Sequence, residues 1–458
     1  MNTNRLSLFP MQNSFLRLLL VLLLGVGNLQ LSAQEKISLK QAISHALTYK
    51  ADAIKAELEV KNADYQIAEA RSGALPKLNV DGSLTYNPIL QKTALPGDFL
   101  DAPGEIFMVP FGQKWGSNVG AQVEQALFNQ QVFVGLKAAR TTKEFYQVNQ
   151  KLTDEQLIEK VATAYYEVLS TKSQLKTIDS SYANIEKVKR VISGLYDSGL
   201  AKKIDLDRTN VRLTNTKTSQ IQLQKALEQK ENALKFYIGM PIHRPILLEA
   251  SDLEVNAPPL PAEIDVNQRT EIELMGKQKQ LLEYQVQASK AALYPSLSLI
   301  GNYAWQATGD AFPIGKGKSD MVYWTDYAAI GLQLHIPIFN GLQTKAKINQ
   351  NKIELESLKA DLADSKLGMQ MDYENAKAQI QSALSAIGNQ EANLELAQSV
   401  FSDTQNNYQN GLASLTDLLE AETELVQARN NYTDAILDFK MAEIQLYKSQ
   451  GDLEELIK

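Results

Sequence analysis

The stretch YDSGLAKKIDL at 196–206 recurs 212 positions later as YQNGLASLTDL at 408–418. Tyr196, Gly199, Leu200, Ala201, Asp205 and Leu206 match Tyr408, Gly411, Leu412, Ala413, Asp417 and Leu418 at identical spacing. Each copy interrupts a long helix-compatible window, because all 14 prolines lie outside 111–240 and 338–458. Proline costs about 3 kcal/mol inside a helix, so windows this long without it predict long helices. The glycines suit the left-handed residue that ends a helix, and so short a connection makes the two arms antiparallel. Two copies of helix, turn and helix predict one duplicated architecture.

Outward from the turns, Phe128-Asn129 and Phe339-Asn340 mark matching positions, 71 residues before Gly199 and 72 before Gly411. At about 1.5 Å per residue each such helix is on the order of 100 Å long. Leu175, Ile178, Tyr182, Ile185, Val188, Ile192 and Leu195 step by three and four, as a coiled-coil seam does. The first repeat is expected over 34–238, with helix 39–74, strands 77–87 and 116–128, and long helices 130–197 and 202–238. Helix 39–74 ends before Pro76, since a residue preceding proline is pushed out of the α region. A proline-rich linker follows at 239–271. The second repeat occupies 272–458, with helix 272–293, strands 296–306 and 326–339, and long helices 342–409 and 414–450.

The strand segments alternate. Leu78, Val80, Leu84 and Tyr86 interleave with Asn79, Asp81, Ser83 and Thr85; Val119, Ala121 and Val123 with Asn118, Gly120 and Gln122. Leu297, Leu299, Tyr303 and Trp305 interleave with Ser298, Asn302 and Ala304, and Ile330, Leu332 and Leu334 with Gly331, Gln333 and His335. A period of two over about ten residues fits a membrane β-strand with a lipid face and a lumen face, and also an ordinary half-buried sheet. Tyr86, Trp115, Tyr303, Trp305, Tyr323, Trp324 and Tyr327 cluster near the loop ends, as an aromatic belt at a membrane interface would. The loops at 88–114 and 306–324 are rich in Pro, Gly and Asp, as outward-facing loops would be.

Residues 1–33 carry Arg5 and Arg17, the apolar run Leu18–Val26 and then Leu31-Ser32-Ala33, the order of a secretory signal cut after Ala33. Its removal takes two positive charges and no acid, moving the formal net charge from −7 to −9 and arguing against nucleic acid as a partner. With no cysteine the exported chain relies on packing and not on disulfides. His45, His243 and His335 are scattered without metal-ligand spacing. Gly317-Lys318-Ser319 lacks the upstream glycine of a phosphate loop. No nucleophile–base constellation is found, so neither an enzyme nor a cofactor or metal site is expected.

Four strands cannot close a barrel, and an open edge in lipid leaves backbone groups unsatisfied at several kcal/mol each. Two chains would supply eight strands around a filled interior; three would supply twelve around a water-filled passage, with twelve helical arms forming a second tube below. The fold class expected is mostly α with a membrane β-barrel part. It has two structural repeats, each of long antiparallel coiled-coil helices plus a β-hairpin. Three chains would form a trimeric 12-stranded β-barrel continuing into a 12-helix α-barrel.

Leu39-Lys40-Gln41-Ala42-Ile43 with Ala46-Leu47, then Pro295-Ser296-Leu297-Ser298-Leu299, and the turns at Gly199-Leu200 and Gly411-Leu412 together resemble the outer membrane factors of the TolC family. The resemblance spans essentially the whole mature chain; Arg269-Thr270-Glu271 approximates that family's Arg-Pro-Glu segment with threonine for proline. It implies a homotrimer in the cell outer membrane of a Gram-negative bacterium with a long periplasmic extension. Its partners would be a periplasmic adaptor (membrane fusion protein) and an inner-membrane transporter of RND or ABC type. The duct would be the passive exit of a tripartite efflux system. Gly199, Leu200, Gly411 and Leu412 would form adaptor-contact tips. Asp403 and Asp197, close to the turns, are candidates for an acidic constriction or for solvated helix charges. An exit duct of a type I protein secretion system is the runner-up, and a secreted trimeric coiled-coil structural protein without a pore is the alternative of another class.

Overall fold

A computed structural model describes residues 36–457 except 97, 99–102, 250–253, 257 and 262; the expected signal segment 1–33 lies outside the described residues. In chain order the elements are β1 (Lys36–Ile37), α1 (Leu39–Tyr49), α2 (Ala51–Ser72), β2 (Lys77–Tyr86), β3 (Lys92–Pro96), β4 (Ile106–Pro110) and β5 (Trp115–Phe128). Then come α3 (Gln130–Asp197), α4 (Lys203–Ile238) and β6 (Leu247–Leu248). The second repeat holds α5 (Thr270–Ala291), β7 (Ser296–Gly309), β8 (Val322–His335), α6 (Gln343–Gln409) and α7 (Leu415–Gln450). No helix among the described residues is long and apolar enough to cross a membrane.

The two long helices, α3 of 68 residues and α6 of 67, are the rails on which everything else is laid. Lys230 pairs with Glu167 and Gln220 donates to Asp179, so α4 runs back along the turn-proximal half of α3. Lys143 reaches Asp64, so α2 covers the other half. The second repeat copies the layout: α7 returns along α6, and α5 lies beside the start of α6 through Gln285 and Asn351. One core gathers Ile43, Leu157, Val161, Tyr165, Val168, Leu234 and Ile238; a second gathers Tyr373, Ile380, Phe439 and Leu446. The first joins α1, α3, α4 and α7, and the second joins α6 and α7 with Val255 and Ile264 of the linker. Toward the turns the seam thins: α3 buries Thr177, Ser181, Ile185 and Ile192, and α4 buries Thr209 and Thr216. Small polar side chains let the helices come close, and the buried threonine hydroxyls donate to carbonyls one turn back, as Thr209 does to Asp205 at 2.8 Å.

Several sequence expectations are corrected. The single helix expected at 39–74 is two, because Lys50 is extended at φ −72° and ψ 135°. From there its ammonium donates to the Phe236 carbonyl at 3.0 Å and lies 3.4 Å from the Phe236 ring centroid, sealing the C-terminus of α4. Arg269 repeats the device: extended at φ −66° and ψ 134° before α5, it donates to the Ser449 carbonyl at 2.9 Å at the end of α7. Thr270, in the family's proline position, begins α5 and donates its hydroxyl to Glu155 at 2.6 Å. The linker at 239–271 is not wholly irregular, since β6 pairs in parallel with β1 and Tyr165 ties the Ile37 carbonyl at 2.9 Å. The loop at 88–114 contains the β3–β4 hairpin. Strand 326–339 instead runs Val322–His335, for Pro337 has no N–H to continue the ladder.

Candidate functional site

The second sheet is antiparallel with order β2-β5-β7-β8, so its two outer strands each leave one edge without a partner among the described residues. Register places Leu78, Val80, Leu84 and Tyr86 on the face of Trp115, Val119, Ala121 and Val123. The same face continues across β7 and β8 with Leu297, Leu299, Tyr303, Trp305, Trp324, Ile330, Leu332 and Leu334. Most of these side chains are exposed, Ile330 by 86 %, which an isolated sheet in water would not tolerate over such an area. The opposite face carries Asn79, Asp81, Ser83, Thr85, Asn118, Gln122, Asn302, Gln306, Thr325 and Gln333.

Five of the seven aromatics grouped as a belt share the apolar face: Tyr86, Trp115, Tyr303, Trp305 and Trp324. Tyr86 stacks on Trp115 at 4.6 Å, Trp115 meets Phe312 edge-on at 5.2 Å, and Trp324 donates to the Lys316 carbonyl at 3.1 Å. Tyr323 and Tyr327 do not belong with them. They stand opposite Thr308 and Ala304, on the polar face, because odd positions of β8 point away from Ile330 and Leu332. Asp326 lies instead on the apolar face and accepts from the Tyr303 hydroxyl at 3.1 Å.

At the far end, each long hairpin turns through the same cap. Gly199 and Gly411 sit at φ +79° and +75°. Leu200 N–H reaches back to the Leu195 carbonyl at 2.7 Å and Leu412 N–H to Asn407 at 2.8 Å, the long bond of a Schellman motif. Leu200 and Leu412, just past the glycines, are 77 % and 79 % exposed. After the turn the copies differ. Ser414 and Asp417 form a reciprocal capping box, and the Ser414 N–H and hydroxyl hold the Asp417 carboxyl below the usual range. Lys202 makes no side-chain cap. The tips lie side by side around a recess lined by Leu195, Leu200, Ile204, Tyr408 and Leu415, with Arg208 donating to the Thr416 hydroxyl at 3.2 Å. Burial and then the Asp205 carboxylate push the Tyr408 phenol upward. Asp197 and Asp403 are exposed on their helices near these turns.

One tie between the hairpins gave no sequence signal beyond a lone charge in a helix. Glu422 of α7, 4 % exposed, accepts from the buried Ser181 hydroxyl of α3 and from Arg212 of α4 at 3.2 Å.

The family described as outer membrane efflux protein matches this chain at 42–240 and 267–452. The outer membrane protein TolC of Vibrio cholerae is 20 % identical over 85 % of this chain and 85 % of its own. The cation efflux system protein CusC of Escherichia coli (strain K12) is 22 % identical over 90 % of this chain and 85 % of its own. The structure is similar to that of the Campylobacter jejuni CmeC outer membrane channel, with TM-score 0.72 and 16 % identity over 90 % of this chain and 85 % of that one.

Proposed function

Because the chain belongs to the outer membrane efflux protein family, we propose that three copies form a passive exit duct for small molecules, spanning the outer membrane and reaching far into the periplasm. The observation that carries this reading is the sheet. It has one mainly apolar face, one polar face and, among the described residues, two unpaired edges, β2 and β8. In lipid those edges must be paired, and a ring of chains is the closure that leaves no edge. Three four-stranded sheets give twelve strands, enough for a water-filled lumen lined by the polar face. The helical hairpins, polar along much of their exposed length, continue that passage as a tube of twelve arms. No chemistry is performed on the cargo, and the energy comes from an inner-membrane transporter engaged through a periplasmic adaptor.

In this reading Gly199, Leu200, Gly411 and Leu412 are the adaptor-contact tips, two unequal kinds alternating around the periplasmic opening. Asp403 and Asp197 are candidates for a narrowing that favours cations there. Replacing Asp403 by Ala should raise single-channel conductance and lower cation selectivity; unchanged selectivity counts against the acidic ring.

The test of the duct itself has two arms. Purified protein should migrate as a heat-labile trimer and give stepwise conductance in planar bilayers. Crosslinkers placed at Leu200 and Leu412 in cells should recover an adaptor and its transporter. Monomers would refute the reading, and trimers without conductance would favour the trimeric coiled-coil structural protein.

A further inference from the structure

We propose that the polar face of the barrel carries a recess that binds small organic ammonium ions in transit, one per chain; this rests on reading that face as the lumen. Asp81, Gly120, Ala304 and Tyr327 are successive partners across β2, β5, β7 and β8, so they form one row straight across the sheet. The middle of the row has no bulk. Gly120 lacks a side chain and Ala304 offers a methyl that a Cβ at 120 would already meet at 2.9 Å. The ends of the row, a carboxylate and a phenol ring, therefore rise from a shallow floor.

The neighbouring rows supply amides. Asn118, Gln122 and Asn302 join Asp81 and Tyr327 in lining a recess of about 310 Å³. That volume is at the small end of known small-molecule sites, roughly 300–1,000 Å³. Charge decides the class of ligand. On the polar face, the rows formed by positions 79–85, 116–122, 302–308 and 323–329 carry one acidic or basic side chain, Asp81. Lys77, Glu124 and His335 lie at the end of the sheet nearer the helices, where Lys77 stands opposite Glu124. Asp81 makes no ion pair or hydrogen bond among the described residues, so its charge is available to a ligand. An ammonium group gains attraction from the carboxylate and from the Tyr327 ring face, while the amides accept its N–H groups. An anion is repelled by the carboxylate, with no cationic side chain lining the recess to offset it. Weak affinity suits a duct, since a tight site would stop transport.

Two measurements on the full-length protein test this. The first is block of single-channel current by benzylammonium added from the extracellular side, expected at millimolar concentration. Asp81→Asn should weaken block about fivefold. Tyr327→Leu should weaken it roughly two- to fivefold, and Tyr327→Phe should leave it intact because the ring is kept. The second is saturation-transfer NMR of the same cation with detergent-solubilised protein, which needs no conduction. Normal conductance with block and transfer unaltered in Asp81→Asn overturns the recess and leaves the duct standing. Saturation transfer lost in Asp81→Asn but no conductance supports the recess and removes the duct. Block that occurs only from the periplasmic side and is unaffected by either Tyr327 variant places the cation at the tips and overturns the proposal.

Discussion

Replacing Glu422 by Ala should loosen the α6/α7 hairpin from the α3/α4 hairpin without unfolding either. Glu422 is 4 % exposed, and its two oxygens take the Ser181 hydroxyl and an Arg212 N–H. Breaking a fully buried pair costs about 3–5 kcal/mol. The Arg212 side chain is 30 % exposed and can turn toward water, which removes much of the penalty for its charge. Ser181 is 2 % exposed, but its hydroxyl can bond the carbonyl one turn back, as its neighbours Thr177 and Ser180 do. What remains is on the order of 2 kcal/mol, the lost hydrogen bonds between the hairpins plus a small cavity. Hydrogen exchange read by mass spectrometry on the trimer should then speed up about thirtyfold in 415–425 and 177–188. Exchange near Tyr165 and Phe439, in the two apolar cores, should stay unchanged. Joint replacement by Arg212→Met and Glu422→Leu should restore most of the protection, because apolar pairs of similar volume substitute well for buried ions. Protection in 415–425 that is the same in wild type and Glu422→Ala would refute the reasoning, as would a double variant worse than the single.

Gly199→Val and Gly411→Val place a branched side chain in the left-handed region, at about 1–2 kcal/mol each; trimers should still assemble while export fails, and normal export in both variants sinks the tip assignment. Arg269→Ala strips the Ser449 carbonyl and Glu271 of their donor and should cost about 3 kcal/mol. Lys50→Ala should cost about 1 kcal/mol, and limited proteolysis near Gly451 and Gly239 ranks the two. Burial raises the Asp154 carboxyl, so the folded chain prefers it protonated and its charge is a penalty that sets in as pH rises past about 4. Asp154→Asn should therefore raise the thermal midpoint at pH 7 and leave it unchanged near pH 3.5; the opposite order would contradict the sign.

Proline spacing and the repeated turn made the helical frame legible, because both act within a few residues along the chain. The break at Lys50 was also readable, though only by comparing the repeats: Lys50 precedes Pro76 by the same 26 positions that separate Arg269 from Pro295. Hydropathy alone hid it, since α1 and α2 keep alanines in phase across the break. The placement of Tyr327 was legible by parity with Ile330 and Leu332, yet grouping by residue type put it in the belt. Tyr323 was harder, for the strand around it was read as loop. β3, β4, β1 and β6 left little trace, being two to five residues long.

By itself, then, the sequence determined two long hairpins, their turns and two pairs of alternating strands, all properties of local spacing. Tertiary structure decided which strands are neighbours and which two edges stay open. It also brought together groups far apart in the chain: Asp81 with Tyr327 across four strands, Ser181 and Arg212 with Glu422 across two hairpins. The physical reason is that periodicity fixes a residue's direction about its own element. Which element stands opposite is settled only when the apolar faces of the whole chain pack against each other.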